Sequence, residues 1–174
     1  MKRILALIIT ICATSHAADL CIGAGLGHAS ESSSERIGDA AEVGINASVT
    51  SQNGIGGGIN AIYARGKEYD YPSMNYSNTR SQMYVTPYFV AMKSFFEQSY
   101  VFASIGPTVG FGMDDTKSWM LGVSAYGFSM SGGCDAFVTK SVSIKLDLSL
   151  RHVKWKENET VNSLIPEIGI TYHL

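Results

Sequence analysis

Apolar and polar residues alternate along this chain with a period of two, in eight runs separated by polar or glycine-bearing breaks. Successive side chains of a β-strand point to opposite faces, so each run predicts a strand with one apolar face. The first sets Leu20, Ile22, Ala24 and Leu26 against Cys21, Gly23, Gly25 and Gly27. The second, 42–50, sets Val43, Ile45, Ala47 and Val49 against Gly44, Asn46, Ser48 and Thr50. The third sets Ile55, Ile59, Ala61 and Tyr63 against Gly56, Gly58 and Asn60, and the fourth, 82–92, sets Met83, Val85, Pro87, Phe89 and Ala91 against Tyr84, Thr86 and Tyr88. The fifth is the cleanest, Val101 to Phe111 on odd positions against Phe102, Ser104, Gly106, Thr108 and Gly110. The sixth covers about 128–137. The seventh sets Val142, Ile144, Leu146, Leu148 and Leu150 against Ser143, Lys145, Asp147, Ser149 and Arg151. The eighth sets Leu164, Pro166, Ile168, Ile170, Tyr172 and Leu174 against Ile165, Glu167, Gly169, Thr171 and His173.

Alternation over roughly 10 residues is what a tilted strand needs to cross a bilayer. The breaks alternate as well: 51–54, with its Asn53-Gly54 hairpin signal, 93–98 and 139–141 are short, whereas 29–41, 65–81, 113–127 and 154–162 are long and polar. Short turns at one end and long loops at the other predict an all-β fold, an eight-stranded antiparallel up-and-down transmembrane β-barrel with both termini periplasmic. A soluble barrel would turn its apolar residues inward. The polar faces here carry so many glycines that they suit a narrow interior better than an outer surface.

Both ends of the chain fit export. Lys2 and Arg3, the apolar run 4–12 and the small-residue stretch 14–17 have the layout of a cleaved signal peptide, 1–17, leaving an outer-membrane barrel domain at 18–174. The last residues, with Gly169, Tyr172 and Leu174 at the spaced positions, resemble the C-terminal signal read by the barrel assembly machinery, with Leu174 in place of the usual terminal aromatic. Two of the 13 basic residues leave with the leader and all 15 acidic ones stay, so the mature chain carries a net charge near −4 and offers no patch for nucleic acid. No run after residue 17 is long and apolar enough for a spanning helix.

The segment 132–147, Gly-Gly-Cys-Asp-Ala-Phe-Val-Thr-Lys-Ser-Val-Ser-Ile-Lys-Leu-Asp, looks like the sixth-to-seventh hairpin of the OmpA-like barrel family, and Ile22-Gly23-Ala24-Gly25-Leu26-Gly27 looks like its first strand. The resemblance implies a polar, plugged lumen with an acid–base cluster and loops displayed at the cell surface. Centring the hairpin on Lys140 places Asp135 opposite Lys145, both inward, and centring the last loop near 158 places Glu167 opposite Ser149 and diagonal to Asp147 and Arg151. Charges in so narrow an interior must be paired. The cluster therefore reads either as a structural lock or as a gate for small ions.

Other chemistry has weaker support. Lipid A deacylases resemble the end of this chain but carry His-x-Ser, and here His152 is followed by Val153 and Lys154, so no nucleophile stands beside a base. A hydrocarbon-lined lumen for palmitoyl transfer is not met either, and no enzyme activity is expected. His16 leaves with the leader, and His28, His152 and His173 are scattered, so neither a metal nor another cofactor is expected. Cys21 and Cys134 face opposite sides of the wall on non-adjacent strands, against a disulfide. Three Asn-x-Ser/Thr triplets are taken as chance in a bacterial protein. Tyr69, Tyr71 and Tyr76 suit either a loop contact or an interfacial aromatic girdle. The expectation is a monomeric structural and surface-interaction barrel whose partners are membrane lipid, lipopolysaccharide and host surface molecules, with a small porin-like channel for ions or small solutes as the alternative and a lipid A-modifying enzyme as the less favoured one.

Overall fold

The computed structural model describes residues 18–33, 36–70, 73–96, 99–113, 123–156 and 159–174; the expected leader 1–17 lies outside them. All eight alternating runs are strands: β1 (Ala18–Ser32), β2 (Arg36–Ser51), β3 (Ile55–Asp70), β4 (Asn75–Phe96), β5 (Ser99–Met113), β6 (Ala125–Phe137), β7 (Val142–Trp155) and β8 (Thr160–His173). Each pairs antiparallel with its sequence neighbours, and β1 closes on β8 with Cys21 opposite His173 and Gly25 opposite Gly169. Closure leaves no strand edge unpaired, which a wall standing in hydrocarbon requires. The Leu174 amide extends the closing seam by donating to the Leu20 carbonyl at 2.9 Å.

The short connections gather at one end, here the turn end, together with the start of β1 and the end of β8. At 51–54 the Gly54 amide donates to the Ser51 carbonyl at 2.8 Å, and Gly54 has φ +73°, a left-handed conformation that glycine adopts without strain. At the opposite, loop end the strands run further than their alternation predicts. β3 reaches Asp70 and β4 begins at Asn75, so most of the expected loop 65–81 is a paired hairpin. In the same way β1 and β2 absorb most of 29–41, and β7 and β8 most of 154–162.

The reason is a reversal of polarity partway up the wall. In the lower part the outer face is apolar: Ile22, Leu26, Ile45, Ile59, Phe89, Ile105, Leu148 and Ile168 are all exposed, as suits lipid, while the inner face is glycine, hydroxyl and charge. Above Arg151 on β7 the pattern inverts, with Val153 and Trp155 buried inside and Lys154 and Lys156 exposed outside. The same level gathers Ala29, Ala40, Ala64, Tyr84, Ala125, Val161 and Ile165 into a small apolar core inside the barrel. Lipid sets the sign of the alternation below that level and water sets it above, although one hydrogen-bonded ladder runs through both.

Candidate functional site in the barrel lumen

The hairpin register is as predicted at β6–β7, with Asp135 opposite Lys145, but the ion pair is not. Lys145 Nζ lies 2.8 Å from Asp147 Oδ2, on its own strand, and 4.8 Å from the Phe102 ring centroid. The cause is a second register. The β7–β8 hairpin centres on 157, so Glu167 faces Asp147, and Ile165 rather than Glu167 faces Ser149. Two carboxylates side by side in a low-dielectric lumen repel, and a cation beside them relieves more energy than one beside the single acid Asp135. Asp135 is 5% exposed, and its Oδ1 has no hydrogen-bond partner among the described residues. A double-mutant cycle in urea should therefore show coupling of Lys145 with Asp147 and little with Asp135. A larger Asp135 coupling would mean that the lysine points the other way.

Arg151 does not join that group. It is 2% exposed and pairs with Glu42 on β2, across the lumen. Its guanidinium carbon sits 3.7 Å over the Tyr84 ring; Tyr84 meets Trp155 edge-on at 6.2 Å, and Arg80 lies 4.1 Å over Trp155. Arg80 in turn binds Glu68 at 2.8 Å and stands 3.9 Å from Glu159, which accepts a hydrogen bond from the Ser33 hydroxyl at 2.9 Å. This column, two adjoining rings with a cation on each, rises from mid-wall to the loop end. Glu31 stands beside it on β1 and accepts a hydrogen bond from the Ser163 hydroxyl at 3.4 Å. Glu42 shares the parity of Gly44, so its inward position was readable from the pattern. Arg80, Glu68 and Glu159 lie in stretches whose lost periodicity reads as loop.

Lower in the lumen, hydroxyls link neighbouring strands: Thr86 to Thr108 at 2.9 Å, Thr108 to Ser129 at 2.7 Å and Ser104 to Ser131 at 2.7 Å. The space left among Asn46, Asn60, Tyr88, Lys145 and Arg151 is about 70 Å³. At the turn end the lumen widens into a mouth of about 410 Å³ between Asp19, Cys21, Tyr100, Phe137 and His173.

The remaining sequence candidates fall apart spatially. His152 is on the outer face, tilted against Phe128 at 5.2 Å, with Nδ1 2.7 Å from Asn162 Oδ1. Gly169 faces Gly25 at the closing seam, where an added Cβ would come 2.8 Å from the Ala24 carbonyl oxygen, and Tyr172 and Leu174 are exposed on the outer face. Tyr69 stands six residues beyond Tyr63 on β3, about 20 Å further along the strand. Tyr71 lies outside the described residues, as does the Tyr76 side chain. Cys21 is buried inward and Cys134 exposed outward, both as free thiols.

A closed eight-stranded wall with lipid-facing apolar residues and polar side chains within defines a transmembrane β-barrel of the bacterial outer-membrane kind. The chain is similar in structure to Neisserial surface protein A, with a TM-score of 0.67 at 17% identity, over 90% of this chain and 99% of that one. It is similar to the outer-membrane protein OprG from Pseudomonas aeruginosa, with a TM-score of 0.65 at 12% identity, over 92% and 97%. Ail, the attachment invasion locus protein of Yersinia pestis, solved with the heparin analogue sucrose octasulfate, gives 0.59 at 9% identity, over 90% and 99%. No protein-family model matches the sequence, and no curated protein sequence matches it. These likenesses establish the fold, that of a small outer-membrane barrel.

Proposed function

We propose that this protein is an exported barrel with its turn end in the periplasm and its loop end at the cell surface, and that it acts through contacts made at the loop end. The observation that carries this reading is the filled lumen. Eight strands leave an interior that side chains just occupy, and here the Arg151–Glu42 pair and the column of Tyr84, Trp155 and Arg80 stand in it. Such a barrel is a plugged support rather than a conduit, and it works as a monomer because its wall has no open edge. Insertion would depend on the barrel assembly machinery, with Gly169, Tyr172 and Leu174 in the recognised tail.

Partner chemistry follows from the outer face above the apolar belt. Arg65, Lys67, Lys154 and Lys156 are exposed there, at the level where lipopolysaccharide phosphates would lie. Ail, of similar fold, was solved with a sulfated sugar. Anionic headgroups and anionic host surface molecules are thus the partners this rim fits, with Tyr69 beside it on the β3–β4 hairpin. Planar-bilayer recording of the refolded protein tests the plugged reading, and no steady conductance is expected. Sustained openings of nanosiemens size would overturn it in favour of a small-solute channel.

A further inference from the structure

The turn-end mouth holds a side-chain group that a plugged, loop-displaying barrel does not need. Cys21 and His173 are direct partners across the closing seam, with Cys21 Sγ 3.3 Å from His173 Nδ1. The far ring nitrogen, Nε2, lies 2.9 Å from the Ser143 hydroxyl, and the ring rests on Phe137 with centroids 4.4 Å apart. If the hydroxyl accepts the Nε2 proton, the Nδ1 lone pair is turned toward the sulfur. Orientation of a histidine by a hydrogen bond at its second nitrogen is the usual arrangement around a metal ligand. Asp135, 95% removed from solvent with Oδ1 unpartnered among the described residues, is close enough to act on the Cys21 sulfur electrostatically. Asp19 lines the same mouth of about 410 Å³, through which an ion has direct access.

We propose that Cys21 Sγ and His173 Nδ1 form a binding site for a thiophilic divalent cation of the zinc type at the turn-end mouth. Zinc–sulfur and zinc–nitrogen bonds of about 2.3 and 2.0 Å at a tetrahedral angle place the two ligand atoms about 3.5 Å apart, close to the separation present. No three His, Cys, Asp or Glu side chains among the described residues converge on one point. The remaining positions therefore fall to water or to a carboxylate drawn in from Asp19 or Asp135. Binding converts the Cys21 thiol to thiolate and releases its proton to solvent, and the thiolate charge is then held by the ion. The two ligands join β1 to β8, so an ion here would tie the seam of the barrel.

The test is anaerobic titration of the whole refolded barrel with Co²⁺, whose thiolate complexes absorb, followed by displacement with Zn²⁺. One Co²⁺ per chain is expected, with thiolate-to-cobalt absorption that is lost in Cys21→Ser, weakened at least tenfold in affinity in His173→Gln, and kept in Cys134→Ser. Alkylating Cys21 after refolding should abolish the signal in the unmutated chain, which covers the case in which Cys21→Ser fails to fold. Absence of thiolate absorption from the unmutated protein, or its persistence in Cys21→Ser, would overturn the proposal.

Discussion

Arg151→Ala should cost this barrel on the order of 3–5 kcal/mol in urea unfolding from lipid or detergent, the largest loss expected from any single lumenal change. The truncation leaves the Glu42 carboxylate buried without its partner, and an uncompensated buried charge is the expensive outcome. It also removes the cation from the face of Tyr84, worth up to about 2 kcal/mol where water is excluded. The two losses overlap, because one guanidinium makes both contacts. Arg151→Met combined with Glu42→Gln should recover most of the stability, since neither charge then remains to be desolvated. An unfolding midpoint for Arg151→Ala equal to that of the unmutated barrel would show that the pair is solvated or absent.

Leu148→Arg should come next, at about 2–4 kcal/mol, the cost of a basic side chain on the lipid face near the bilayer midplane. Leu148 is 52% exposed on β7, two turns of the pleat below the level where polarity reverses. Lys154→Ala, three outward positions higher on the same strand, should be close to neutral, because water already bathes that level. Refolding into lipid vesicles with urea titration would measure both. Equal effects at the two positions would mean that the hydrocarbon boundary does not lie between them.

That boundary also explains how far the fold and the site were legible in the sequence. Inside the belt, every inward and outward assignment read from the alternation holds, down to the register that sets Asp135 opposite Lys145, although the ion pair goes to Asp147. Above it, residues such as Arg65, Lys67, Glu68 and Arg80 carry charge on both faces, the period of two loses its contrast, and paired strand reads as loop. The Glu167 register differs by one pair from the sequence expectation because the β7–β8 connection carries no turn signal comparable to Asn53-Gly54 that would fix its centre. The choice of Lys145 for Asp147 over Asp135 depends on that register, and the pairing of Glu42 is not legible because its partner lies five strands along the chain. Pattern reveals faces; it does not reveal which distant strands a closed wall brings across from one another.

Seven of the eight strand pairings join consecutive hairpin arms, and only β1 with β8 connects the two ends of the chain. Folding therefore divides into a local and a global part. Each hairpin closes a short loop, while the last pairing encloses some 150 residues, an entropic surcharge of about 2.4 kcal/mol over a ten-residue loop on logarithmic scaling. The Arg151–Glu42 bond links β7 to β2, so it comes into being only when the sheet has curled shut. It behaves as a latch: of no help while the hairpins accumulate, and decisive for how long the finished cylinder stays closed. Lesions at this pair should accordingly quicken unfolding far more than they slow assembly.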